Sequence, residues 1–91
     1  AQGVASIACA VNRKSRSLVT PVLVEMHGIP GGDDPELVKA VSKAVSNAIQ
    51  RSLSKEEPPR ETRKIARSAL LSVLWERTNQ RPLVIVNILE L

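Results

Sequence analysis

Ninety-one residues, 43% of them hydrophobic, make one small globular domain that can bury about two thirds of its unfolded surface, which excludes a second domain. No run approaches the roughly 20 apolar residues of a membrane span, and a single cysteine, Cys9, excludes an internal disulfide and suits a reducing compartment. Thirteen Lys and Arg against nine Asp and Glu leave +4, which suits a polyanion and an ordinary soluble domain alike, but one Trp and no Phe or Tyr leave almost nothing on which single-stranded bases could stack.

The chain starts at Ala1 rather than Met, and its opening lacks the basic start and apolar core of a signal peptide. A start inside a longer protein is therefore expected. Gly3 to Val11 (GVASIACAV) is small and β-branched, Asn12 to Ser17 (NRKSRS) is a basic break, and Leu18 to Met26 (LVTPVLVEM) resumes the apolar pattern. This predicts two antiparallel strands joined by a basic hairpin loop. Pro21 cannot donate to a ladder, so it belongs at the start or edge of the second strand, with Val22 to Met26 as its regular part.

Gly28 to Pro35 (GIPGGDDP) breaks regular structure and ends with Asp34 before Pro35, the pattern of an N-cap followed by a first-turn proline. From Leu37, the residues Val38, Val41, Ala44, Val45, Ala48 and Ile49 recur at steps of three and four. They predict a helix with one buried face and a wet face at Lys39, Lys43, Ser46 and Gln50. Ser54 to Pro59 (SKEEPP) ends it, and a second helix is expected from about Arg60 to Thr78. Asn79 to Pro82 breaks that helix. Leu83 to Leu91 (LVIVNILEL) is apolar on both alternating faces except at Asn87 and Glu90, which predicts a central strand covered on both sides. The order ββααβ implies an α+β, two-layer fold: a three-stranded sheet with two helices on one face, mixed if the last strand pairs parallel to the hairpin.

Catalytic chemistry is not legible in these residues. His27 is the only histidine and reads as a strand-end residue, so a zinc site built from this chain alone has too few ligands. Asp33 and Asp34 read as capping carboxylates at a helix start rather than metal ligands. No serine lies in GxSxG or has a histidine to activate it. Gly28-Ile29-Pro30-Gly31 spells GxxG but follows a strand, and its proline removes an amide that a phosphate would need, so a KH-type loop is disfavoured. No catalytic, metal-binding or cofactor-binding residue is assigned.

The second helix is more informative. At 100° per residue, Ile65, Ala66, Ala69, Leu70 and Val73 form the expected core arc. Arg60, Arg63, Lys64 and Arg67 form a stripe opposite. A solvated face is the plainer reading of that stripe, and contact with a phosphate backbone is the alternative. In the same alternative, the hairpin residues Arg13, Lys14 and Arg16 are further RNA-contact candidates. Leu71 and Trp75 fall on the outward side with Leu74 on its flank, so the helix needs a second partner. Leu71, Leu74 and Trp75 are interface candidates, with Trp75 as anchor; burial under the preceding linker is the competing reading.

Leu74-Trp75-Glu76-Arg77-Thr78, then Arg81-Pro82, then Leu89-Glu90-Leu91 carry a family resemblance. The stretch Ala66 to Leu91 resembles the closing segment of ribonuclease J, in which a helix ending in a "flyekTkrRPmi" pattern leads into a last strand closed by Glu and an aliphatic residue. Thr78, Arg81, Pro82 and Glu90 are the specific matches. The earlier hairpin and first helix agree with the family in order and length. Asn79-Gln80 replaces the usual basic pair, and Met26-His27-Gly28 stands where the family has a Ser-Arg-Gly-like segment, so positive charge for RNA is reduced.

The resemblance implies that residues 1–91 are the C-terminal domain of a metallo-β-lactamase/β-CASP ribonuclease. Its chemistry, with paired metal ions expected to be zinc, would lie upstream, so this piece is expected to have no catalytic part. It further implies a cytoplasmic or plastid-stromal setting, no membrane, and as partners the catalytic domains of the same chain, further copies of it, or both. Two roles follow. One is a domain that supports oligomerisation and activity; the other is an auxiliary module that positions RNA through its basic stripe.

Overall fold

A computed structural model describes residues 3–91. The elements are β1 (Val4–Asn12), β2 (Ser17–Leu18), β3 (Leu23–His27), α1 (Pro35–Ser54), α2 (Pro59–Thr78) and β4 (Leu83–Glu90). β1 pairs antiparallel with β2 at Val11 and Asn12 and antiparallel with β3 from Val4 to Ala8. β4 runs parallel to β1 along its other side, from Val4↔Leu83 to Val11↔Glu90. The sheet is mixed, and β2 and β3 are two pieces of one lane.

Pro21 is why that lane is split. It has no N–H to give, and between β2 and β3 the ladder is carried by other groups. Val19 N donates to Ala10 O at 2.8 Å, and Ala10 N donates to the Thr20 hydroxyl at 2.9 Å. The hairpin loop closes through Arg16 N donating to Arg13 O, with Arg16 left-handed at φ 56°. At the other end of the sheet Gly3 (φ 79°) lies against Gly28, and a Cβ on Gly3 would sit 2.4 Å from His27 O. Only glycine allows that approach.

β4 is not the central strand; β1 is, and β4 lies at the sheet edge. Its apolar residues on both faces suggested cover on both sides. Instead Val84 is buried and Val86 and Ile88 pack against the core, whereas Leu83, Ile85 and Leu89 are exposed at 56%, 48% and 63%.

Asp34 caps α1 as expected, its side chain accepting from Glu36 N at 3.0 Å with Pro35 at the first turn. Leu37, Val41, Val45, Ala48, Ile49 and Leu53 are its buried stripe. α2 begins at Pro59, after Pro58 at its N-cap, and stops at Asn79, left-handed at φ 57°, whose N–H returns to Trp75 O. Its buried residues are Thr62, Ala66, Leu70 and Leu74. The core arc is therefore centred on the line through these four, and Ile65, Ala69 and Val73 are only partly buried on its flanks. Thr62 can hold a core position because its hydroxyl pairs with that of Ser52 on α1 at 2.7 Å, which satisfies two buried polar groups at once. No helix is long and apolar enough to cross a membrane, among the described residues.

Candidate functional site

The fold sorts the candidate side chains into three groups. Near the end of α2, Trp75 is 47% exposed and Leu71 half-buried, while Leu74 is 0% exposed inside the core cluster. Leu74 is thus a core residue and not an interface residue; the helix turns it inward, one position before the outward Trp75. Arg81, which follows the turn at Asn79, lies over the Trp75 ring at 4.5 Å from its centroid. Such a stack contributes about 0.5–1 kcal/mol where exposed and holds the indole flat. Ser68, Leu71, Ser72, Trp75, Arg81 and Pro82 line one shallow groove. The linker reading of Trp75 fails, because the ring meets Arg81 and solvent instead.

The second group is the open face of the sheet. Across β1, the outward residues Val4, Ser6 and Ala8 stand in register with His27, Glu25 and Leu23 of β3 and with Leu83, Ile85 and Asn87 of β4. The central lane is small and its neighbours are larger, so the surface is a trough, apolar on the β4 side. His27 ends β3 as predicted and lies 3.6 Å from Glu25, both exposed. These apolar β4 residues were missed as surface candidates because alternation cannot tell an uncovered face from a covered one.

The third group is basic. The hairpin loop, the α1–α2 link and the first turns of α2 meet at one end of the molecule, since Arg13 touches both Glu57 and Thr62 and Arg16 touches Glu56. The two sets of RNA-contact candidates therefore come together, but not all of them remain available. Arg13 is committed to structure: Nε donates to one Glu90 oxygen at 2.6 Å and Nη2 to the other at 3.0 Å, while Nη1 reaches Glu57 O at 2.7 Å. Arg67 donates to Val84 O at 3.2 Å, and Arg16 pairs with Glu56 at 2.9 Å in an exposed bridge. Arg13 is corrected from an RNA-contact candidate to a structural residue, whereas Arg67 and Arg16 are exposed and each spends only part of its donors within the fold. Lys14, Arg60, Arg63 and Lys64 are exposed and make no side-chain hydrogen bond or ion pair among the described residues.

Among the described residues no three His, Cys, Asp or Glu cluster to hold a metal. Cys9 is half-buried, and burial, then the nearby Glu90 charge, pushes its thiol pKa up, which keeps it protonated and a poor nucleophile.

A family model described as the ribonuclease J C-terminal domain matches residues 1–91. No curated protein matches the chain.

Proposed function

The chain belongs to the ribonuclease J C-terminal domain family, and from that premise we propose that it is the non-catalytic assembly module of an RNA-processing ribonuclease, supporting oligomerisation and the activity of the catalytic domains. In this reading the hydrolysis, with its paired metal ions, expected to be zinc, belongs to upstream metallo-β-lactamase and β-CASP domains in the cytoplasm or plastid stroma. The observation that carries it is the exposed Trp75 held under Arg81 beside Leu71. A large aromatic side chain fixed in place, half in solvent and next to an arginine, is the composition of an interface anchor.

The test is Trp75→Ala in the whole enzyme. Stability of the domain should change by under about 1 kcal/mol, because the ring is half exposed and its loss leaves no buried void. Assembly, measured by sedimentation, and RNA cleavage should fall together, with the association constant down by roughly ten-fold or more. An assembly of unchanged mass and strength would remove the anchor role.

A second reading has one observation in its favour: the fold gathers Lys14, Arg60, Arg63 and Lys64 at one end beside the start of α2. Their uncommitted charges, with the positive end of the helix dipole, suit a phosphate backbone. If they position RNA, the affinity should fall steeply between 50 and 200 mM salt. Replacing all four with alanine should flatten the slope of log affinity against log salt by about three. Absence of binding at 50 mM salt would exclude this role. Neither alternative assigns chemistry to the domain.

A further inference from the structure

The edge of β4 has a geometry that the assembly reading alone does not specify. Leu83 N donates to Gly3 O at 3.1 Å and Leu91 N to Val11 O at 2.9 Å, so the odd-numbered residues of β4 turn their peptide groups toward β1. By strand alternation the N–H and C=O of Val84, Val86, Ile88 and Glu90 point the other way, to the free edge. One of them is covered: Arg67 from α2 donates to Val84 O. Among the described residues the others have no partner in the hydrogen bonds between elements. From Leu83 to Leu89 the strand carries no charge and no proline, the two devices by which edge strands ordinarily discourage pairing. The opposite edge of the sheet is protected by contrast, since its lane is interrupted at Pro21 and carries Glu25 and His27.

We propose that this edge pairs antiparallel with β4 of a second copy of the chain, around a two-fold axis at Asn87. This rests on the assembly reading and names its partner. Charge supports a two-fold, antiparallel arrangement: Arg67 and Arg81 lie by the start of β4, whereas Glu90 at its end is already paired with Arg13, so opposed strands set the arginines against a neutralised end, and parallel ones would set arginine against arginine.

The register follows from the side chains. The edge-facing groups fall on even residues, so Asn87 faces Asn87 of the partner subunit as a non-hydrogen-bonded pair, with Cα atoms about 4.5 Å apart. Asn87 is the only polar side chain from Leu83 to Leu89, and its amide both donates and accepts, so it can satisfy its own copy. On the same face Ile85 then meets Leu89 and Leu83 meets Leu91, both apolar pairs. Glu90 comes opposite Val84, where Arg67 already sits. The two sheets join into one and leave a continuous open face.

The experiment is carried out on the chain with Cys9→Ala, so that a single introduced thiol reports. Asn87→Cys should oxidise to a disulfide-linked dimer as the main species, because a non-hydrogen-bonded pair lies within disulfide reach. Leu23→Cys, on the far lane of the same face, should remain largely uncrosslinked. In the native chain Asn87→Lys should weaken the dimer about five-fold or more by sedimentation equilibrium, from like charges on the axis, with its thermal midpoint at low concentration unchanged because Asn87 is exposed. If Leu23→Cys crosslinks and Asn87→Cys does not, the copies stack face to face; the edge pairing is overturned while the assembly reading stands. If the native chain is a monomer at about 100 µM, self-pairing is overturned, and the Trp75→Ala result in the whole enzyme then decides separately whether the module docks on its own catalytic domains.

Discussion

Leu74→Ala is expected to destabilise the domain by about 3–4 kcal/mol. The side chain is 0% exposed and packs within the cluster that includes Leu70, Ala66, Val45 and Ile49. The removed atoms lose their transfer free energy, and the void they leave adds to that loss because strands and helices around it relax only in part. For a domain of this size the denaturation slope in urea is about 1 kcal/mol/M, so the urea midpoint should fall by roughly 3 M, to the verge of unfolding. The effect must be independent of protein concentration. If Leu74 acted instead at an interface, the loss would shrink on dilution, where no partner is bound, and a native-minus-variant difference in midpoint that depends on concentration would overturn the core assignment. Trp75→Ala should do the reverse, with little effect on folding and a large one on assembly, although the two residues are adjacent.

That pair shows how far the sequence could be read. α1 was legible in extent and in most of its buried stripe, since Asp34 and Pro35 mark its start and the aliphatics recur at helical spacing, although Leu53 is also buried and Val38 and Ala44 are only partly so. α2 was legible in extent but its core line was displaced. A hydrophobic pattern scores Thr62 as polar and so starts the stripe at Ile65, whereas in the structure Thr62 anchors the line Thr62–Ala66–Leu70–Leu74. What makes that possible is the Ser52 hydroxyl, ten residues away on another helix, which local pattern cannot supply. The order of elements along the chain was anticipated, and a parallel return of the last strand was the stated condition for a mixed sheet. The position of β4 at the edge was not, because a strand apolar on both faces reads the same whether its outer face is covered by its own fold, by a partner, or by nothing.

The basic residues show the same division between local and distant causes. Arg13, Lys14 and Arg16 look alike in the hairpin, and Arg60, Arg63, Lys64 and Arg67 look alike along α2. Which of them remain available is decided by acceptors far along the chain: Glu90 for Arg13, Glu56 for Arg16, and Val84 O for Arg67. Charge composition predicted a basic surface, and the tertiary fold engages three of its seven candidate members in ion pairs and hydrogen bonds, Arg13 fully and the exposed Arg16 and Arg67 in part.

Arg13 is the one whose removal should cost most. Arg13→Ala is expected to destabilise the domain by about 2–3 kcal/mol, or roughly 2 M in urea midpoint. The guanidinium joins four segments: the hairpin that bears it, the α1–α2 link at Glu57 O, α2 at the Thr62 hydroxyl (3.2 Å), and the end of β4 through both Glu90 oxygens. With side-chain exposures of 26% and 34% for Arg13 and Glu90, the pair is screened less than a surface bridge and more than a buried one, so the figure lies between the near-zero value of the first and the 3–5 kcal/mol of the second. Glu90 is also the residue that closes the family's last strand, and the clamp gives it a physical role, pinning the free end of an edge strand to the hairpin. Arg13→Lys should recover less than half of the loss, because an ammonium cannot match both carboxylate oxygens as a planar fork does. A midpoint that moved by under about 0.3 M in Arg13→Ala would mean the clamp contributes nothing measurable. At temperatures where the variant remains folded, Arg13→Ala should leave the salt slope of any RNA binding unchanged, since its charge is already neutralised by Glu90, whereas Arg60→Ala should lower that slope by about one.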